Sequence, residues 1–253
     1  MYPVTFFYFL VASNVKESLK IYYKHLDIEF TNAVYYEHLR IFAITMVDRF
    51  ITKLDASSYE FIYDDPDTPL EIFKHSTILL QSHFGGWASS SNVSRTTNKI
   101  HVVMQESMME SIKAIEESVG IQSNISVIDL NKGTISVSIA IANAMMADEI
   151  VAMMGDRASN DKSVIQADFL GEAANFNKSP FQIAYKMAKP ILVYFVIHIG
   201  VQKYKIEYVK IDLDQEKSES VAIKEALELY VAKYEDVIQR YPNQWFNFFD
   251  FWA

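Results

Sequence analysis

STILLQSHFGGWASSSN (residues 76–92) runs from a short apolar stretch through one histidine into two adjacent glycines, an indole and a series of small hydroxyl residues. The chain has only seven glycines, and none precedes Gly85. TILLQ is apolar without alternation, which reads as a strand buried on both faces. Ser82 and His83 then fall at its carboxyl end, and Gly85 and Gly86 let the backbone turn sharply toward a following helix.

Downstream the same texture repeats. IHVVM (100–104), ISVID (125–129), EIVAMM (149–154) and ILVYFVIHI (191–199) are continuous apolar runs like TILLQ, with helix-like segments around residues 88–97, 107–118 and 134–146 filling the three intervals from TILLQ to EIVAMM. That alternation predicts an α/β fold with a mostly parallel central sheet flanked by helices. KYKIEYVKIDL (203–213) slips phase between Tyr208 and Val209 and predicts the second strand of a hairpin, carrying a bulge. SVAIKEALELYVAKYEDVIQRY (220–241) places Ile223, Leu227, Tyr230, Tyr234, Ile238 and Tyr241 on one face of a long C-terminal helix that stops at Pro242. Upstream, SNVKESLKIYYKHL (13–26) and HLRIFAITMVDRF (38–50) form an N-terminal helical hairpin. In the second of these, Leu39, Phe42, Ala43, Met46 and Phe50 make the apolar face and Asp48 lies off it. YDDPDTPLEIF (63–73), broken by two prolines, reads as a loop. The expected organisation is a single domain over residues 1–253, with a helical portion at 1–70 and an α/β core at 71–253.

Composition narrows the function. Half of the 253 residues are apolar, enough for a sizeable core, and the formal charge of -9 gives no global attraction to nucleic acid. Cysteine is absent, so catalysis falls to histidine, carboxylate, hydroxyl or lysine. The longest apolar stretches, PVTFFYFLVA and ILVYFVIHIG, are ten residues each, roughly half of what a membrane-spanning helix needs. The histidines show no metal-ligand spacing, and no metal site is expected. WFNFFDFW (245–252) concentrates aromatics for which the core is the commoner fate.

An imidazole projecting from a strand-to-helix turn accepts a proton from a hydroxyl or amine attacking a carbonyl, and nearby backbone N–H groups stabilise the resulting anion. A core histidine bonded to a backbone carbonyl, beside an ordinary glycine turn, fits the same residues. Asp156 and Arg157 follow the strand EIVAMMG and, as strand-end residues, should face the same cleft. Arg95 and Lys99, in a stretch free of acids, could meet a phosphate or a pantetheine arm.

STILLQSHFGGW resembles the first motif of the lysophospholipid and lipid A acyltransferase superfamily, in which a strand ends in histidine and a carboxylate follows five positions later. YPVTFFYFL and HLRIFAITMVDRF resemble that family's N-terminal helices, and VAMMGDRAS its strand-end aspartate motif. FLGEAANFNKSPFQIAYKMAKPILVYF is similar to its approach to the later strands. YPNQWFNFFDFW resembles the closing sequence of the bacterial branch near the lipid A lauroyl and myristoyl transferases. The resemblance implies a glycerol-3-phosphate acyltransferase-like fold. It also implies transfer of a fatty acyl group from a thioester, on acyl carrier protein or coenzyme A, to a hydroxyl or amine of a lipid acceptor. The thioester is a co-substrate, and no cofactor is implied. By this resemblance His83 is the general base, supported by Asp156; amides near Gly85 and Gly86 help bind the oxyanion, and Arg95 and Arg157 contact substrate. The enzyme would sit peripherally at the cytoplasmic face of a bacterial inner membrane.

One departure bears on all of this. Ala88 stands where the family carries Glu or Asp, and no acid occurs from residue 72 to 105. Either position 88 is an engineered change, or a carboxylate comes from elsewhere with Asp156 the candidate, or the chain is a catalytically impaired or non-catalytic binder of lipid or acyl chains.

Overall fold

The computed structural model describes residues 2–87, 96–105, 124–158 and 161–253. Three helices come first: α1 (Tyr2–Val11), α2 (Ser13–His25) and α3 (Asn32–Leu54). The Thr31 hydroxyl caps α3 by accepting the Val34 N–H at 3.3 Å. Strand β1 (Glu60–Tyr63) and the short helix α4 (Asp67–Ile72) follow. Then come β2 (Ile78–Gln81), β3 (Ile100–Met104), β4 (Ile125–Asp129), α5 (Thr134–Met146) and β5 (Ile150–Met154). The remainder is β6 (Val164–Phe169), β7 (Glu172–Asn177), α6 (Ser179–Met187), β8 (Ile191–Gly200), β9 (Lys203–Ile211) and α7 (Glu219–Arg240). The helices expected around 88–97 and 107–118 fall outside the described residues, apart from Thr96 and Thr97, which are not helical.

Seven strands form one sheet in the order β1-β9-β8-β2-β5-β3-β4, while β6 and β7 pair as a separate antiparallel hairpin. Every neighbouring pair in the main sheet is parallel except β8 with β9. The continuous apolar runs have the cause expected for them, since both faces of the sheet are covered. Ile78, Leu80, Val151, Met153, Val193 and Phe195 join a cluster with Ile141, Phe181, Leu227 and Tyr234 from the helices. Leu79, Ala152, Leu192, Tyr194 and Val196 join a second one with Tyr59 and Phe73.

Three sequence expectations are corrected. The register irregularity of the β8/β9 hairpin lies between His198 and Gly200, in the first strand, and Tyr208 and Val209 pair in step with Tyr194 and Val193. The slip in alternation arises because β9 is packed on both sides: Tyr204, Ile206 and Tyr208 face one cluster, Val209 and Ile211 the other. Residues 63–73 are not simply a loop. Asp65 accepts the N–H groups of Asp67 and Thr68 and so starts α4, and Pro69, in the first turn, lacks only an N–H that has no intrahelical partner there. Strand β1 likewise places part of the stretch before residue 70 in the sheet.

Helix α3 is rotated by roughly a third of a turn from the orientation its apolar residues suggest. Its buried stripe holds Tyr35, His38, Leu39, Ile41, Thr45, Asp48 and Thr52, so that of the expected apolar face only Leu39 is fully covered. Asp48 goes inside because its carboxylate is satisfied there, accepting the Tyr59 hydroxyl at 2.7 Å and the Tyr204 hydroxyl at 2.6 Å. Val47, Ile51 and Leu54 are left exposed, as are Phe6 and Leu10 of α1.

His38 is fully buried, bridging the Tyr23 hydroxyl at Nδ1 and the Trp245 carbonyl at Nε2, each at 3.0 Å. Burial, only partly offset by the Trp245 carbonyl, holds its pKa down to about 3. The unfolded chain therefore takes up this proton first, and the folded state loses stability as pH falls from about 6.5 toward 3, by on the order of 5 kcal/mol. Urea unfolding between pH 7 and 4 is expected to show that decline, and His38→Gln to flatten it; equal slopes in both proteins would assign the acid sensitivity elsewhere.

Candidate active site

The site forms where the histidine turn leaves the sheet. Strand β2 pairs with β5 on one side and β8 on the other, so Ser82 and His83 emerge beside Gly155 and Asp156. The turn is held from three directions. The His83 N–H donates to Asp156 Oδ2 at 2.8 Å. The Gly85 N–H donates to the Gln244 carbonyl at 2.8 Å, and the Gly86 N–H to the Val196 carbonyl at 2.7 Å. Gly85 has φ +56°, and a Cβ there would lie 2.2 Å from the Val196 carbonyl oxygen, which is why the turn requires glycine.

His83 and Asp156, named from the sequence as base and supporting carboxylate, are brought together. His83 Nδ1 lies 3.0 Å from Asp156 Oδ1, with the imidazole 18% exposed and the carboxylate fully buried. With Nδ1–H donating to the carboxylate, the neutral ring carries its lone pair on Nε2. Asp156 Oδ2 also accepts the Tyr234 hydroxyl of α7 at 3.2 Å. Burial pushes the Asp156 carboxyl up, but the charge and hydrogen bonds of His83 and the charge of Arg157 outweigh it. The net result is a carboxyl below its ordinary value and ionised beside the imidazole. The core-histidine alternative is not what the fold builds: the ring is bonded to a carboxylate and reaches the surface.

A C-terminal strap closes over the turn. Phe84 and Trp245 form an antiparallel bridge, and the Phe246 N–H donates to the His83 carbonyl at 2.7 Å. The Gln244 side chain clasps β8, accepting the His198 N–H at 2.9 Å and donating to the His198 carbonyl at 2.7 Å. Arg157 is exposed beside this strap, with its guanidinium 3.1 Å from Asn247 Oδ1 and 4.8 Å from the centre of the Phe249 ring.

Other expectations fare differently. The amides of residues 83 to 86 all donate within the protein, Phe84 N–H to the Ser82 carbonyl at 2.7 Å, so those of Gly85 and Gly86 brace the turn and do not point at an oxyanion. Lys99 precedes β3, at the opposite edge of the sheet from His83. Arg95 and Ala88 lie outside the described residues. Tyr234, Gln244 and Phe246 were not legible as site residues. Tyr234 sits in the apolar stripe of α7 and reads as core, and nothing local in PNQWFN says that it meets residue 83.

No curated protein matches the chain. The model of the bacterial lipid A biosynthesis acyltransferase family matches residues 71–253, which take in α4, the histidine turn, Asp156 and the strap, and the chain belongs to that family.

Proposed function

We propose that this acyltransferase moves a fatty acyl group from a thioester, on acyl carrier protein or coenzyme A, to a hydroxyl or amine of a lipid acceptor, with His83 as general base. The observation that carries this reading is the His83–Asp156 pair. A buried, ionised carboxylate at Nδ1 fixes the tautomer that leaves Nε2 to take the acceptor's proton, and stabilises the imidazolium that results. The acceptor oxygen or nitrogen bonds to the carbonyl carbon, the C–S bond breaks, and the imidazolium returns its proton to the leaving sulfur. Asp156 thereby stands in for the carboxylate missing at position 88.

Trp87 lies edge-on to His83, ring centres 5.3 Å apart, and its indole N–H is buried with no partner among the described residues. A carbonyl oxygen brought by the thioester would satisfy that donor. Arg157, exposed beside the C-terminal strap, suits an anionic group on the acceptor.

No described helix is long and apolar enough to cross a membrane. Exposed Phe6, Leu10, Val47, Ile51 and Leu54 support a peripheral contact with the bilayer, and we place the enzyme at the cytoplasmic face of a bacterial inner membrane. Ala88 motivates the second reading, a binder of lipid or acyl chains without turnover. Purified protein incubated with acyl thioester and a lipid extract decides between them. Acylated lipid with stoichiometric free thiol is expected, and co-purified fatty acid without thioester consumption would select the binder.

A further inference from the structure

The amino-terminal edge of the same sheet carries a second arrangement of reactive side chains. His101 is the second residue of β3, Ser126 its register partner on β4, and Glu149 immediately precedes β5. His83 and Asp156 follow the carboxyl ends of β2 and β5, so the two groups lie at opposite edges of the sheet. Ser126 Oγ is 2.8 Å from His101 Nδ1, and His101 Nε2 is 2.5 Å from Glu149 Oε2. The imidazole is 13% exposed and Glu149 26%. All three line a cavity of about 460 Å³ between the sheet and α5, together with Lys132, Asn143 and Val137.

In the neutral ring the bonding order assigns the protons. Glu149 accepts the Nε2–H, which leaves Nδ1 as the acceptor of the Ser126 hydroxyl proton. A hydroxyl bonded to an imidazole that is in turn oriented by a carboxylate is the arrangement that makes serine a nucleophile; which ring nitrogen faces the serine does not alter that chemistry. Two polar partners alone would suit a structural histidine, as at His38; at His101 the partners are a hydroxyl and a carboxylate, and the group opens on a cavity.

We infer that Ser126, His101 and Glu149 form a second reactive centre, an esterase site for small carboxylic esters or thioesters. Ser126 Oγ bonds to the carbonyl carbon as its proton passes to His101 Nδ1. The C–O or C–S bond then breaks, and the leaving oxygen or sulfur takes that proton. Water next attacks the acyl-serine, giving one proton to His101, which returns it to Ser126 as the free acid departs. Lys132 and Asn143 place a cation and an amide donor among the cavity's lining residues, alongside the acid Asp129. The cavity volume suits a short acyl group.

The test uses the intact chain and a fluorophosphonate, which phosphonylates activated serines with loss of fluoride, followed by peptide mass mapping. A single adduct at Ser126 is expected. His101→Gln should slow its formation at least about 100-fold and Glu149→Gln about 10-fold or more, with p-nitrophenyl butyrate hydrolysis falling in parallel. His83→Ala, which removes acyl transfer, should leave the labelling rate at the wild-type value, so the failure of one centre is distinguishable from that of the other. Folded wild-type protein without an adduct at Ser126, or equal labelling rates in wild type and His101→Gln, would overturn the assignment. Ser126→Ala should abolish the adduct, and should that variant fail to fold, His101→Gln and Glu149→Gln still decide the assignment.

Discussion

Asp156→Asn is expected to lower kcat/KM for acyl transfer by about 10³- to 10⁴-fold while leaving the protein folded. The asparagine oxygen can go on accepting the His83 N–H and the Tyr234 hydroxyl, as Oδ2 does now. Its NH₂ then faces His83 Nδ1, where Oδ1 stands at 3.0 Å. The ring must accept at Nδ1 and carry its proton on Nε2, the nitrogen that has to be empty to act as base. His83→Ala should cost at least as much, and the double variant no more than His83→Ala alone, because the two residues act as a unit. Thioester consumption in the three proteins, with melting curves to confirm folding, gives the result. A loss of less than tenfold in Asp156→Asn would mean that the imidazole is oriented by another group.

Gly85→Ala is expected to destabilise the fold by about 3 kcal/mol or more, combining the left-handed backbone with a steric conflict. The new methyl would meet the Val196 carbonyl oxygen at 2.2 Å and the Gln244 side chain at 3.3 Å. Val196 pairs with Ile206 inside the β8/β9 hairpin, and its carbonyl already accepts the Gly86 N–H, so it cannot withdraw cheaply. Gly86→Ala is the control. Its nearest obstacles, at 3.0 Å, are side-chain atoms of Tyr204 and Val196, and its φ is not in the left-handed region. Urea midpoints should therefore fall much further for Gly85→Ala. Equal and small shifts would show that the turn has a relaxed alternative.

The strands were legible because burial on both faces writes an unbroken apolar run, and β3 and β4 begin and end where IHVVM and ISVID do. The long α7 was legible because only one of its faces is covered. Helix α3 misled because its carboxylate and imidazole find partners from β9, the Tyr59 region and the strap, and a sequence does not display partners so distant. The β6/β7 hairpin and α6 were not assigned, since FLGEAANFN mixes small, polar and aromatic residues without a clear period. His83 and Asp156 could be named because each directly follows an apolar strand. Their direct contact, and the occupation of the Gly85 and Gly86 amides by the Gln244 and Val196 carbonyls, are tertiary pairings that no local signal displays.

Because the loop spanning positions 83 to 246 must close before Phe246 can grip His83, the turn that carries the proposed base is completed late during chain assembly. A half-finished polypeptide emerging from the ribosome carries the imidazole and Asp156 yet lacks the C-terminal strap that braces their turn.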